Sequence, residues 1–223
     1  MIEAKHIHKV YNDGKRQLDV LKGVNLNIAA GSFIAIVGPS GAGKSTLLHI
    51  LGGLDNPTQG EVVLQGEDIY KLGDAELSRI RNKRIGFVFQ FYHLLSEFTV
   101  LENVLMPALI NCEPRFERAE LKSRALGLLK EAGLEERADH FPSQLSGGEK
   151  QRAAVVRGLI NKPGLLFCDE PTGNLDSKSG SGIIALIKKM NLENKMTVVL
   201  VTHNAELAHQ ADKVYNLKDG VLA

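Results

Sequence analysis

The chain has 223 residues, which is enough for one large domain or two small ones with a sizeable buried core. Its 27 Lys and Arg balance 26 Asp and Glu, so the charge gives no reason to expect nucleic acid or an anionic membrane surface as the main partner. The 43% hydrophobic and 24% charged residues exclude disorder, collagen and coiled coil, and the two cysteines lack the paired spacing of a disulfide framework or a zinc site.

Two kinds of strand are predicted, and helical stretches separate them. Apolar residues recur with a period of two over 2–10 and 24–28, which is typical of antiparallel strands with one solvated face. Short continuous apolar runs at 33–37, 165–168 and 197–201 indicate strands that are buried on both faces. A parallel sheet with crossover helices is the simplest architecture for these runs.

The middle of the chain, from residue 94 to about 158, has almost no strand pattern. An apolar helix face is predicted there by the spacing of Leu121, Ala125, Leu128, Leu129 and Ala132. We therefore expect an all-helical insert within an α/β core. No apolar run approaches the roughly 18 residues of a membrane span, and the N-terminal residues do not resemble a signal peptide. A cytosolic protein is expected, with any membrane-spanning part on another chain.

The strongest motif, G-x-x-x-x-G-K-[ST], lies between the 33–37 strand and a helix predicted over 47–54. Phosphate binding needs glycines here because the main chain must point its N–H groups at phosphate oxygens where a Cβ would clash. Lys44 is expected to reach the β- and γ-phosphates, and Ser45 to ligate Mg²⁺. The alternative is a glycine-rich turn with a solvated lysine. The predicted nucleotide-binding residues of this phosphate loop are Gly38, Pro39, Ser40, Gly41, Ala42, Gly43, Lys44, Ser45 and Thr46.

A second motif is the pair of acids that follows the 165–168 strand. Asp169 at that sheet edge is placed to hold Mg²⁺ through water, and Glu170 to polarise an attacking water as a general base. A solvated turn or a helix cap is the alternative for such a pair when it stands alone. Together with a phosphate loop, the pair predicts hydrolysis of a nucleoside triphosphate.

A third motif, Leu-Ser-Gly-Gly-Glu-Lys-Gln-Arg at 145–152, opens a predicted helix. With this motif the sequence resembles the nucleotide-binding subunits of ABC (ATP-binding cassette) transporters over nearly the whole chain, in that family's motif order. The resemblance implies an α/β P-loop NTPase fold, the ABC-ATPase fold, with a RecA-like parallel-sheet core, an antiparallel β subdomain and an α-helical insert. It implies one ABC ATPase domain over 1–223, with the nucleotide-binding core at 1–90 and 159–223 and the helical signature subdomain at 91–158.

The resemblance also assigns roles outside the phosphate loop. Tyr11 matches the aromatic residue on which adenine stacks. Gln90 matches the glutamine that contacts Mg²⁺ and the attacking water, and His203 matches the histidine that contacts the γ-phosphate. Asn204 follows where aspartate is common, which is expected to weaken the network around His203. ATP and Mg²⁺ are the implied cofactors, with catalytic residues Glu170, His203 and Gln90 and with metal contacts from Ser45, Gln90 and, through water, Asp169.

Two copies of such a subunit are implied to meet head to tail with two ATP molecules between them. Ser146, Gly147 and Gly148 match the signature that closes over the nucleotide of the partner copy, and Glu149 replaces the glutamine usual in that signature. Asp176 matches a loop that crosses the dimer interface. The other implied partners are membrane-spanning transporter subunits, with neither nucleic acid nor direct membrane insertion expected.

Within the family, segments 47–55, 89–95, 98–104 and 171–176 resemble the LolD group, the ATPases of bacterial lipoprotein-release complexes. In that group two such subunits sit under the membrane proteins LolC and LolE, at the cytoplasmic face of the inner membrane as peripheral proteins. MacB-like efflux ATPases and FtsE-like cell-division ATPases share much of this pattern and stay open. A soluble ABC ATPase acting on nucleic acid or ribosomes, and a P-loop kinase or GTPase, are the alternatives from other classes.

Overall fold

The computed structural model describes residues 1–12, 14, 16–110 and 118–222. The strands of this part of the chain form two sheets. An antiparallel sheet has the order β2-β1-β4-β5, and a second sheet has the order β10-β9-β3-β8-β7-β6 and is parallel apart from β10. The strands are β1 (Ile2–Asn12), β2 (Gln17–Ile28), β3 (Phe33–Val37), β4 (Gln59–Leu64), β5 (Glu67–Asp68), β6 (Ile85–Phe89), β7 (Leu165–Asp169), β8 (Thr197–Thr202), β9 (Lys213–Lys218) and β10 (Val221–Leu222).

Helices occupy much of the remaining described chain. The helix predicted at 47–54 starts earlier, at Lys44, because the glycine-rich turn leads directly into it, and it ends before Gly52. Short 3₁₀ turns lie at Ile69–Lys71, Glu135–Arg137 and Pro142–Gln144. The α-helices are α1 (Lys44–Leu51), α2 (Asp74–Arg84), α3 (Val100–Ile110), α4 (Arg118–Glu131), α5 (Gly147–Leu159), α6 (Ser177–Asn194) and α7 (Ala205–Ala208).

Helix α1 packs between the two sheets. Its buried residues Leu47, Leu48 and Leu51 share one apolar cluster with Ile7 of β1 and Ile36 of β3. Burial of this apolar surface is the main favourable term that joins the sheets. The helix that follows the phosphate loop is therefore fixed in place by its buried face.

A second apolar cluster joins the parallel sheet to α5 and α6, and a third lies among α3, α4 and α5. The predicted face of α4 is confirmed at Leu121, Ala125 and Leu129, which are all buried. Helix α5 contributes Val155 to the second cluster and Val156 to the third. Helix α5, which begins within the 145–152 motif, is thus packed against the parallel sheet on one side and against α3 and α4 on the other.

The structure confirms the α/β class and the two kinds of strand predicted from the sequence. In the described ranges, no helix combines the length and the apolar character that crossing a membrane requires.

Candidate functional site

The phosphate loop connects β3 to α1 and lies at the carboxyl edge of the parallel sheet. Gly43 has φ +98°, and a Cβ at Gly38 would stand 2.1 Å from the carbonyl oxygen of Leu217. Neither position tolerates a side chain without a backbone shift. Lys44 is only 7% exposed, and its Nζ donates to the carbonyl oxygens of Gly38 (2.9 Å) and Pro39 (3.0 Å). The loop therefore presents a helix N-terminus and a buried ammonium, which is a site for an anion.

Ser45 and Asp169 bring two oxygen atoms together next to this loop. Ser45 Oγ donates to Asp169 Oδ1 at 3.0 Å, which joins the start of α1 to the end of β7. Burial raises the pKa of Asp169, and the hydrogen bond from Ser45 opposes that rise. Hydroxyl and carboxylate oxygens are the ligands that Mg²⁺ prefers, so this pair fits a magnesium site.

Glu170 and His203 form a hydrogen-bonded pair at the ends of the neighbouring strands β7 and β8. His203 Nδ1 lies 2.9 Å from Glu170 Oε2 and donates to it. Glu170 has φ 46°, in the left-handed region that non-glycine residues seldom adopt, and its N–H donates to the carbonyl of Val201 at 2.9 Å. A carboxylate held in this way by an imidazole is equipped to accept a proton from water.

Gln90 follows β6 and faces the same sheet edge as Asp169. The two residues line a cavity of about 470 Å³ together with His49, Phe91 and three other residues. Gln90 Nε2 donates to Asn174 Oδ1 at 3.3 Å, and Asn174 Nδ2 donates back to the carbonyl of Gln90 at 3.1 Å. The glutamine is thereby tied to the loop that follows Glu170.

Tyr11 lies near the end of the phosphate loop. Its hydroxyl donates to Asp55 Oδ2 at 2.6 Å and also contacts the side chain of Thr46. Burial and the Asp55 carboxylate raise the pKa of Tyr11. The Nζ of Lys9 lies 4.6 Å from the ring centroid, so one face of the ring makes a cation–π contact. The residue as a whole is 42% exposed.

Ser146 caps the N-terminus of α5. Its Oγ accepts from the N–H of Glu149, and Glu149 Oε2 accepts from the N–H and the hydroxyl of Ser146 at 2.8 and 2.7 Å. Glu149 Oε1 also accepts from Arg137 Nε at 3.0 Å. These hydrogen bonds from Ser146, followed by those from Arg137, lower the pKa of Glu149 to about 2. The glutamate at this position is therefore an ionised capping-box residue at an exposed helix start.

A profile of the ABC transporter family matches residues 21–173. The chain belongs to the ABC transporter family. It is similar to the lipoprotein-releasing system ATP-binding protein LolD of Acinetobacter baylyi, with 48% identity over 99% of this chain and 96% of that protein. LolD of Xanthomonas axonopodis pv. citri is 50% identical over 100% of this chain and 90% of its own length.

Solved structures of ABC cassettes are similar to this chain throughout. A dimeric post-hydrolysis structure of the ATP-binding cassette MJ0796, bound to ADP and Pi, has a TM-score of 0.93 and 45% identity and covers 100% of this chain and 96% of its own. The structure of cbiO1 from Clostridium perfringens, part of the transporter complex cbiONQ, has a TM-score of 0.87 and 30% identity, with 100% and 86% covered. The predicted ABC-ATPase fold is confirmed by this likeness.

Asp176 and Asn204, both singled out from the sequence, each cap the N-terminus of a helix. Asp176 caps α6, because its Oδ1 accepts from the N–H of Ser179 at 3.0 Å. Asn204 Oδ1 accepts from the N–H groups of Glu206 and Leu207 and so caps α7 directly after His203. An asparagine in place of aspartate therefore still holds the chain that follows the histidine.

The sequence analysis did not identify several residues that complete the cassette's site. Asp55 holds Tyr11, Asn174 holds Gln90, and Arg137 holds Glu149. Asn174 lies beside Asp176 in a segment already singled out, so its position gave some signal. Asp55 likewise ends the segment 47–55 that was singled out, although no role was assigned to it. Arg137 is a polar residue in a 3₁₀ segment, and no spacing distinguishes it from surface residues.

Proposed function

We propose that this ABC cassette hydrolyses ATP to power the release of lipoproteins from the bacterial inner membrane. The observation that carries the proposal is the identity of about half of all residues, over the full chain, with proteins named for lipoprotein release. The chemistry is supported by the convergence of the phosphate loop, the Ser45–Asp169 pair and the Glu170–His203 pair at one sheet edge.

In the proposed reaction, Lys44 and the phosphate loop bind the phosphates of ATP, and the ring of Tyr11 stacks on adenine. Glu170 accepts a proton from the attacking water, while His203 holds the carboxylate in place and contacts the γ-phosphate. Gln90 orients that water from the other side of the cavity. Mg²⁺, held by Ser45, Gln90 and Asp169 (through water), would neutralise charge on the phosphate oxygens.

A second copy of the chain is the proposed partner for catalysis. The exposed Ser146, with Gly147 and Gly148 behind it, begins a helix whose N-terminus suits an anion, whereas the chain's own phosphate loop would bind its own nucleotide. Head-to-tail pairing would place Ser146, Gly147, Gly148 and Glu149 over the partner's γ-phosphate, with Asp176 at the interface. The dimeric cassette structures similar to this chain support that arrangement.

Membrane-spanning subunits of the LolC and LolE type are the proposed transport partners. An exposed apolar surface suited to them lies between α2 and α3, where Leu54 and Ile110 are 45% and 72% exposed at the edge of a cavity of about 520 Å³. Docking there would place the cassette at the cytoplasmic face of the inner membrane as a peripheral protein, with 91–158 acting as the helical signature subdomain and 1–90 with 159–223 as the core.

Affinity capture with a trapped variant tests the proposal. Tagged Glu170→Gln protein is expressed in its native cells, membranes are solubilised in mild detergent with ATP, and the co-purifying proteins are identified by mass spectrometry, with a sample lacking ATP as the control. We expect two related membrane proteins with large periplasmic domains, together with lipoproteins. An efflux or cell-division partner would contradict lipoprotein release, and a ribosomal or nucleic-acid partner would contradict a transporter role.

A further inference from the structure

The segment 90–93, which carries Gln90, leaves β6 without entering a helix or strand. Phe91 is 66% exposed, and His93 has φ 47°, a left-handed conformation that needs support from its surroundings. A residue that orients a water for catalysis must itself be held in place. What fixes this segment therefore bears directly on the reaction.

Helix α5 holds the main chain around Gln90 through side chains on successive turns. Gln151 is fully buried, and its Nε2 donates to the carbonyl of Phe89 at 3.2 Å. Six residues further along, Arg157 Nη2 donates to the carbonyl of Tyr92 at 2.8 Å and its Nη1 to the carbonyl of His93. These bonds fix the main chain on both sides of Gln90.

The side chain of Tyr92 reaches the opposite end of the same helix. Its hydroxyl lies 3.0 Å from the position that a Cβ on Gly147 would occupy. The Tyr92 hydroxyl therefore lies near the first turn of α5, where Ser146 caps the helix, and the Tyr92 carbonyl accepts from Arg157, which belongs to the last turn. The segment that carries Gln90 thus lies against both the first and the last turn of α5.

The guanidinium of Arg157 serves mainly to bind the carbonyls of Tyr92 and His93. Burial lowers the pKa of its guanidinium, and in the described ranges its hydrogen bonds go to main-chain carbonyls, with no ion pair to a carboxylate. A planar fork of donors suits two adjacent carbonyls in a way that the single ammonium of lysine does not. Charged donors also make stronger hydrogen bonds than neutral ones.

We propose that Arg157 is a positioning residue for catalysis, which binds the carbonyls of Tyr92 and His93 and so holds Gln90 in line with Asp169 and Glu170. This inference rests on the proposed ATP hydrolysis and deepens it. The guanidinium of Arg157 binds the carbonyls of Tyr92 and His93 and none of the proposed nucleotide-binding residues, so its loss acts on turnover and leaves the binding of ATP by the monomer intact. Gln90 stays tied to Asn174 on one side but loses its fixed main chain on the other.

The test compares Arg157→Gln and Arg157→Lys with the matched control Arg81→Gln. Arg81 also donates a guanidinium N–H to a main-chain carbonyl, that of Gly53 at 2.8 Å, but does not hold segment 90–93. Steady-state ATPase assays give kcat and KM, and a fluorescent ATP analogue gives the Kd of each monomer. For Arg157→Gln we expect kcat to fall about tenfold, as removal of an oriented group in a site implies, with Kd changed less than twofold. The kcat of Arg157→Lys is expected to lie between that of Arg157→Gln and that of wild type.

Hydrogen exchange of backbone amides gives a readout that does not depend on activity. In both Arg157 variants we expect faster exchange at 91–95 and unchanged exchange at 165–169. A kcat within twofold of wild type, an equal loss in Arg81→Gln, or unchanged exchange at 91–95 would overturn the inference. An inactive wild-type protein would instead contradict the proposed hydrolysis. Hydrogen exchange would still test whether Arg157 holds segment 90–93, because it does not depend on activity.

Discussion

The carboxylate of Glu149 makes a stability prediction that is specific to this signature. Glu149→Ala removes the acceptor for the N–H of Ser146 (2.8 Å), for the Ser146 hydroxyl (2.7 Å) and for Arg137 (3.0 Å). Loss of a helix cap costs about 1 kcal/mol, and a partly exposed ion pair adds about 0–1 kcal/mol. We therefore expect the free energy of unfolding to fall by about 1–2 kcal/mol, or roughly 2–8 °C in Tm for a chain of this size.

Thermal and urea unfolding followed by circular dichroism measure this loss, with Glu149→Gln as the control. Glutamine keeps an oxygen that accepts from the N–H of Ser146 and gives up the charge that pairs with Arg137. The free energy of unfolding should therefore fall less in Glu149→Gln than in Glu149→Ala. An alanine variant as stable as wild type, or a glutamine variant that is less stable than alanine, would refute the capping argument.

The same carboxylate predicts a pH dependence. The pKa of Glu149 is lowered from its usual value near 4.5 to about 2 in the folded state, chiefly by the hydrogen bonds from Ser146. Its contribution is therefore fully present above pH 4.5 and is lost as the pH falls towards 2. The stability gap between wild type and Glu149→Ala should be constant from pH 7 to pH 5 and shrink below that. A gap that widens on acidification would contradict the assigned direction.

Three further substitutions, the last with a matched control, test other parts of the account. Lys44→Ala removes the buried ammonium from the phosphate loop, and titration with a fluorescent ATP analogue should show at least a tenfold weaker Kd; an unchanged Kd would contradict the assigned loop. Ser146→Arg should leave that Kd unchanged in the monomer but abolish turnover in an ATPase assay, and wild-type turnover would contradict a signature that acts across a dimer. Gly86→Ala places a Cβ 2.3 Å from the carbonyl oxygen of Gly158, so unfolding in urea should show a loss of about 1–3 kcal/mol, whereas Gly182→Ala, with open space around it, should be neutral or stabilising.

Much of the site could be predicted because its chemistry is local in sequence. The glycines, Lys44 and Ser45 of the phosphate loop are spaced by the geometry of a strand, a turn and a helix. The strand predicted at 165–168 extends one residue further in the structure and ends at Asp169. Parallel strands bring their carboxyl ends to one edge, so Asp169, Glu170 and the chain before His203 were expected together.

The remaining features of the site depend on contacts between segments that are distant in sequence, and hydrophobic periodicity does not predict such contacts. Asp55 meets Tyr11 across 44 positions, and Asn174 meets Gln90 across 84. The antiparallel strands β4 and β5 and the edge strands β9 and β10 were not singled out, because they are short or half exposed and their apolar alternation is weak. The division of the chain at residues 91 and 158 stays a prediction.

The central claim is that ATP joins two copies of this chain and that hydrolysis by Glu170 separates them. Size-exclusion chromatography with light scattering on the Glu170→Gln variant tests it most directly, since that variant should bind ATP and stall before hydrolysis. The account predicts a doubled mass with ATP and Mg²⁺, a single-chain mass with ADP, and a single-chain mass with ATP once Ser146→Arg is added. A Glu170→Gln protein that stays monomeric with saturating ATP, or that hydrolyses ATP at the wild-type rate, would contradict it.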